Sequence, residues 1–274
     1  MNNAKILFLG GGNMAEAILA GLLAQKLYRP GEVLVAELRA ERRAFLEQKH
    51  GVATVASPRE AVSEGAPPVM LLATKPQQAS ALLEEIAPSL TADTLLLSIC
   101  AGIPTRTLES LVPCRTVRIM PNLPATVQRG VSALSAGARA TQADLEAAMR
   151  IFSAIGVAVT LPEDKLDLVT GLSGSGPGYV FAFIEALEAA GVEGGIPADL
   201  ARQMAIGTVL GAAELAAAEA QKPDGASPAV LRQRVSSPGG TTLAGLAAAE
   251  EGGFSSSILA AVHAATARSA ALAR

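Results

Sequence analysis

Tryptophan is absent from this 274-residue chain, tyrosine and histidine occur twice each, and phenylalanine six times. With aromatics at 3% and a formal net charge of −3, the chain lacks both the basic footprint and the stacking platform on which nucleic-acid binding usually rests. Charged residues are also sparse, at 17%, against 50% hydrophobic, which is a globular composition and not a disordered one. Long apolar runs are missing too. A membrane-spanning helix needs roughly 18 uninterrupted apolar residues, and the most apolar stretch, residues 205–220, is broken by Glu214 and Glu219. The opening MNNAKILFLGGG has a single Lys and too short an apolar run for a secretory signal. Cys100 and Cys114 form no CxxC pair, and without an export signal both are expected as reduced thiols in a cytoplasmic protein.

Scarce histidine narrows the chemistry. His50 precedes Gly51 where a helix should stop, which suits a C-terminal cap, and His263 falls in alanine-rich helical sequence. Neither stands at ligand spacing from a carboxylate or thiol, so a His-based triad and a His-ligated zinc site are set aside. A bound cofactor is the natural substitute for a protein-borne base.

What is present is an alternation. Residues 5–9, 33–36, 52–55, 69–73, 94–99 and 116–119 read as strands, with weaker ones at 131–135 and 157–160. Helices are expected at 15–25, 40–49, 77–86, 105–111 and 142–155. Near-continuous apolar strands separated by helices predict an α/β domain with a parallel sheet covered on both faces. The register changes near residues 161–163. Beyond it, residues 165–171, 179–190, 197–221, 228–235, 242–251 and 254–272 read as helices rich in alanine, which lets helix axes approach closely. The chain should therefore divide into an α/β domain at 1–162 and an all-α bundle at 163–274.

Gly10, Gly12 and Ala15 make a G-x-G-x-x-A pattern between the first strand and the first helix. In that context the loop suits a dinucleotide: Gly10 for the tight turn, Gly12 for close approach of a pyrophosphate, and free N–H groups at the helix start to receive it. Glu37 ends the second strand, where an acidic side chain accepts from a ribose 2′-hydroxyl and repels a 2′-phosphate. Arg39, Arg42 and Arg43 argue the other way, so NADH and NADPH both stay open. Further loops at strand ends, where ligands of open α/β sheets collect, are Ala73-Thr74-Lys75-Pro76, Cys100-Ala101-Gly102 and Met120-Pro121-Asn122-Leu123-Pro124.

Two glycine-rich segments mark the second half. Residues 171–179 offer either an anion nest or a close helix crossing. Residues 235–242 look like a carboxylate site, with Ser237, N–H groups around Gly240, and the hydroxyls of Thr241 and Thr242.

These segments, in this order, resemble Δ1-pyrroline-5-carboxylate reductases over essentially the whole chain. The most specific are Ser173-Gly174-Ser175-Gly176-Pro177 and Ser236-Ser237-Pro238-Gly239-Gly240-Thr241-Thr242. The resemblance implies a Rossmann-like N-terminal domain, a C-terminal helical domain that builds an interlocked homodimer, and further assembly of dimers into rings. It implies NAD(P)H-dependent reduction of pyrroline-5-carboxylate to L-proline, the last step of proline biosynthesis. Carried over, Gly10, Gly11, Gly12, Asn13 and Met14 would hold pyrophosphate, and Ala73, Lys75, Pro76 and Ala101 would line the cofactor. Ser237, Gly239, Gly240 and Thr241 would bind the substrate carboxylate, and Thr242 the ring nitrogen. Glu37 and Pro58 depart from the family pattern, and both departures lie on the adenosine side. A related dehydrogenase using Lys165 as base and a non-catalytic nucleotide-binding relative are the alternatives. Lys165 precedes the glycine segment, and intact Ser237 and Thr242 oppose the second.

Overall fold

The computed structural model describes residues 4–272. Eight strands form one sheet: β1 (Ile6–Leu9), β2 (Val33–Ala36), β3 (Ala53–Val55), β4 (Val69–Leu72), β5 (Leu95–Ser98), β6 (Arg115–Met120), β7 (Gly130–Ala136) and β8 (Gly156–Thr160), in the order β3-β2-β1-β4-β5-β6-β7-β8. β1 shows why it sits centrally. All four of its residues are buried, with Ile6 and Phe8 in one core and Leu7 and Leu9 in the other, as the two-residue period of a strand covered on both faces requires. Each such side chain contributes about 1.5–3 kcal/mol of burial.

Helices α1 (Asn13–Ala24) and α2 (Ala40–His50) supply Ile18, Leu22 and Leu46 to the first core. The short α3 (Pro58–Ala61), α4 (Pro76–Ile86) and α5 (Thr105–Leu111) supply Ala61, Leu83 and Leu108 to the second. α6 (Gln142–Ser153) returns to the first through Ile151 and Phe152. The sheet is parallel from β3 to β6, as expected, and one pair departs from that: β7 runs antiparallel to β6. The link between them holds only a 3₁₀ turn, Leu123–Val127, which is too short for the crossover a parallel partner needs. α6 then provides a crossover, and β7 and β8 are parallel to each other.

Backbone contacts group the residues up to Ser175 with those from His263 onward as one compact unit, and Gly176–Val262 as a second. The first unit continues past the change of register through α7 (Leu166–Val169) into a π-helical turn, Thr170–Gly174. Here the structure departs from the expected loop. Met120 Cε would lie 2.8 Å from a Cβ on Gly174, so this glycine serves close packing, while Gly176 and Gly178 have nothing within 4 Å of where a side chain would begin. The second unit holds α8 (Gly176–Glu193), α9 (Ala198–Ala220), α10 (Pro228–Arg234), α11 (Thr241–Glu251) and the start of α12 (Phe254–Leu272). α8, α10 and α11 bury none of their described residues, although α8 and α11 are largely apolar. Among the described residues no helix is long and apolar enough to cross a membrane.

Candidate functional site

The strand ends of the first unit bring together the residues singled out for a cofactor. Gly10 leaves β1 at φ 103°, a left-handed conformation that favours glycine, and a Cβ on it would lie 2.8 Å from the Ala73 carbonyl oxygen. The loops after β1 and β4 therefore touch backbone to backbone. Gly12 has nothing within 4 Å of where a side chain would begin, and the first N–H groups of α1, at Asn13 and Met14, have no side-chain cap. An uncapped helix start with room before it suits a phosphate group. A nicotinamide dinucleotide fits this cradle.

Gly11, between them, is committed elsewhere. Its N–H donates to Glu37 Oε2 at 3.0 Å. The other oxygen, Oε1, accepts from Arg39 N and Arg39 Nε, each at 3.0 Å. Burial alone would raise the Glu37 carboxyl, but these bonds and the Arg39 charge outweigh it and hold the group below its ordinary range. Arg42 Nε donates to the Gly11 carbonyl at 2.6 Å, and its Nη2 to Glu16 Oε2 at 2.6 Å. Lys49 Nζ reaches Glu16 Oε1 at 2.8 Å, and His50 Nε2 lies 3.4 Å from the same oxygen. His50 is thus the last residue of α2 and a partner of Glu16; the capping conformation belongs to Gly51, at φ 67°, which corrects the expected role of His50.

Lys75 stands at the exposed N-cap position of α4, and Pro76 opens that helix. Ala101 follows β5, and the neighbouring Cys100 thiol donates to the Thr74 carbonyl at 3.4 Å, so the loops after β4 and β5 lie side by side. Thr74 has no role assigned by the sequence pattern. Its hydroxyl is buried without a hydrogen-bond partner, and its Cγ2 would lie 3.3 Å from a Cβ on Gly10. An orphaned hydroxyl at the carboxyl edge of a sheet is a place for a ligand's polar atom. Asn122 holds the scaffold together. Its Oδ1 accepts from Val131 N at 2.8 Å, and its Nδ2 donates to the Ser173 carbonyl at 2.9 Å.

In the second unit, residues 237–242 form a tight turn into α11. Gly239 has φ 70°, and Gly240 is the N-cap, with no side-chain cap on the helix. The Gly240 N–H is already taken by the Ser237 carbonyl at 2.9 Å. The free donors are therefore the first N–H groups of α11, at Thr241 and Thr242. The Ser237 hydroxyl lies so close over Gly240 that any side chain there would collide with it. Thr241 is exposed and Thr242 half-buried. Two hydroxyl side chains and two helix-start N–H groups thus lie within one short turn at the start of α11. No cluster of metal-ligating side chains occurs among the described residues.

Known proteins resemble this chain over almost its full length. Residues 163–272 match the family description "Pyrroline-5-carboxylate reductase dimerisation", and residues 5–102 match "NADP oxidoreductase coenzyme F420-dependent". The chain is 44% identical over 264 residues to pyrroline-5-carboxylate reductase of Synechocystis, covering 95% of each chain. The solved structure of a pyrroline-5-carboxylate reductase from Coxiella burnetii superposes with a TM-score of 0.90 at 34% identity, each chain covered completely. The Plasmodium falciparum enzyme, solved with NADP bound, gives 0.86 at 28% identity, again over the whole of both chains. With that identity sustained along almost its full length, the chain belongs to the pyrroline-5-carboxylate reductase family.

Proposed function

We propose that the strand ends of the first unit hold a reduced nicotinamide cofactor and that residues 237–242 hold the substrate by its carboxylate. The chain is an NAD(P)H-dependent oxidoreductase that reduces L-1-pyrroline-5-carboxylate to L-proline, the last step of proline biosynthesis. The observation carrying the assignment of sites is the repetition of one device: two uncapped helix starts, each led by a glycine, at Gly12 and at Gly240. One suits a pyrophosphate and the other a carboxylate.

The cofactor, when bound, supplies the hydride. Gly10, Gly11 and Gly12 shape the turn, and the N–H groups of Asn13 and Met14 receive the pyrophosphate. Ala73, Lys75, Pro76 and Ala101 line the remaining walls. Ser237 Oγ and the N–H groups of Thr241 and Thr242 fix the substrate carboxylate, with Gly239 and Gly240 keeping the turn free of side chains. Thr242 Oγ1 accepts from the protonated ring nitrogen. Hydride adds to the imine carbon, the C=N π pair moves onto nitrogen, and the nitrogen keeps its proton, so the product is a secondary amine that water then protonates. A protonated imine is already electrophilic, so the protein's contribution is orientation. This accounts for a chain with two histidines.

Residues 1–162 serve as the nucleotide-binding domain and residues 163–274 as the dimerisation and substrate-binding domain. The protein works in the cytoplasm as a homodimer, with rings of dimers as the higher assembly, and engages neither nucleic acid nor membrane. The test is to follow oxidation of NADH and NADPH separately in the presence of pyrroline-5-carboxylate, with light scattering for assembly size. Failure to oxidise either cofactor overturns the activity.

A further inference from the structure

We propose that Glu37 makes this chain select the nicotinamide cofactor without a 2′-phosphate, NADH over NADPH, by presenting a carboxylate that the glycine loop itself holds in place. The inference rests on the cofactor site described above.

Glu37 is not a loose surface acid. The residue is 9% exposed, and its side chain and the loop are built on one another. A Cβ on Gly11 would lie 2.8 Å from Leu46 Cδ1, 3.3 Å from Glu37 Cβ and 3.3 Å from Glu37 Oε2, so Leu46 first and the Glu37 side chain second close the space over the middle glycine. The bond from Gly11 N to Oε2 fixes the carboxylate beside the turn that would receive the dinucleotide. Oε1 carries two donors from Arg39 and Oε2 only one from Gly11. A carboxylate has about four acceptor positions. Room for a donor therefore remains, and a ribose 2′-hydroxyl is a donor. A 2′-phosphate carries about −1.5 to −2 charges near neutral pH and offers mainly acceptors, so it meets a like charge there.

The arginines that could offset this repulsion are already engaged. Arg39 is paired with Glu37 itself at 3.0 Å. Arg42 spends Nε on the Gly11 carbonyl and Nη2 on Glu16. Arg43 Nη1 donates to the carbonyls of Glu37 and Leu38, both at 2.9 Å. Arg39 and Arg43 hold the β2–α2 turn together and Arg42 ties α2 to the glycine loop and α1, so the positive charge of the three is already shared with carboxylates and carbonyls of the protein.

Calorimetric titration of the full chain with ADP-ribose and with its 2′-phosphorylated counterpart separates this inference from the catalytic reading, because neither compound can be turned over. Wild type should bind ADP-ribose at least about tenfold more tightly, a difference of about 1.4 kcal/mol. Glu37→Ser should narrow or invert that ratio, and kcat/KM for NADPH relative to NADH should move the same way. Because the loop packs on Glu37, the variant's melting transition must be checked. Glu37→Gln keeps the shape and an acceptor for Gly11 N–H while removing the charge, and it should narrow the ratio as well. Equal binding of the two nucleotides by wild type, a preference for the phosphorylated one, or a ratio unmoved by Glu37→Gln overturns the inference. Binding of neither overturns the cofactor site with it. Selective binding without any turnover would leave the inference standing and defeat only the proposed activity.

Discussion

Asn122 Nδ2 donates to the Ser173 carbonyl at 2.9 Å, and in doing so ties the turn after β6 to the π-helical segment that precedes α8. The same side chain accepts from Val131 N at the start of β7. Asn122 is 7% exposed, so losing these bonds leaves buried polar groups without partners. Asn122→Ala should lower stability by about 1–3 kcal/mol in urea unfolding. Asn122→Asp retains the acceptor for Val131 but sets an oxygen against the Ser173 carbonyl, and should cost at least as much at neutral pH. Equal stability of wild type and Asn122→Asp would show the Ser173 bond to be idle.

The strands and helices around this link were largely legible, and the reasons are local. β2 (Val33–Ala36) and α5 (Thr105–Leu111) have the bounds their sequence predicts, since apolar period and flanking breakers agree there. The direction of β7 was not legible, because buried strands of either direction share one apolar pattern; only the length of the preceding link decides it. Gly174 read as loop because glycine disfavours helix, yet it lies in the π-helical turn, packed close against Met120. At the candidate site, the strand-end positions of Gly10, Glu37, Ala73 and Ala101 follow from alternation alone. The bond from Gly11 to Glu37 and the orphaned Thr74 hydroxyl do not, since both are products of packing.

Thr242 is half-buried at the start of α11, and its hydroxyl is assigned to the substrate nitrogen. Thr242→Ala should reduce kcat by roughly 10- to 1000-fold, the scale of one oriented hydrogen bond, while leaving nucleotide binding unchanged. Thr242→Ser should recover most of the loss. Steady-state kinetics alongside calorimetry checks both, and wild-type turnover in Thr242→Ala would remove the residue from the mechanism.

Glu16 should make the first unit sensitive to acid. Burial would raise its carboxyl, but hydrogen bonds from Lys49, Arg42 and His50 bring it from 4.5 down to about 2. A depressed carboxyl stabilises the fold fully above its unfolded value, and that contribution drains away as pH falls from about 4.5 toward 2. Glu16→Gln should therefore cost about 2 kcal/mol at neutral pH, and the gap to wild type should close as pH falls through that window. Urea midpoints at several pH values measure it; a constant gap would mean the pairs contribute nothing through charge.

The helices of the second unit need a partner surface. Phe181, Leu210 and Leu259 are 57%, 55% and 61% exposed, and α8 buries none of its residues. A dimer that covers this surface ties folding to association, so the melting temperature should rise with chain concentration. Leu210→Glu should shift the dimer toward monomer in light scattering and lower the melting temperature. A dimer unaffected by Leu210→Glu would place the interface on other residues.

Gly10 and Gly12 should respond in opposite ways to the same substitution. Gly10→Ala forces a Cβ to within 2.8 Å of the Ala73 carbonyl oxygen and strains a backbone at φ 103°. Crowding and strain each cost about 1–3 kcal/mol, so this variant should be less stable by about 2–6 kcal/mol before any ligand is considered. Gly12→Ala meets nothing within 4 Å. Its melting temperature should stay near that of wild type, because alanine fits an extended N-cap position without strain. The added methyl stands where the pyrophosphate must approach the helix start, so affinity for ADP-ribose should fall about tenfold or more. Melting curves with and without ADP-ribose separate the two effects: Gly12→Ala should lose the ligand-induced shift, not the fold. A Gly12→Ala protein that binds as wild type does would move the pyrophosphate away from α1.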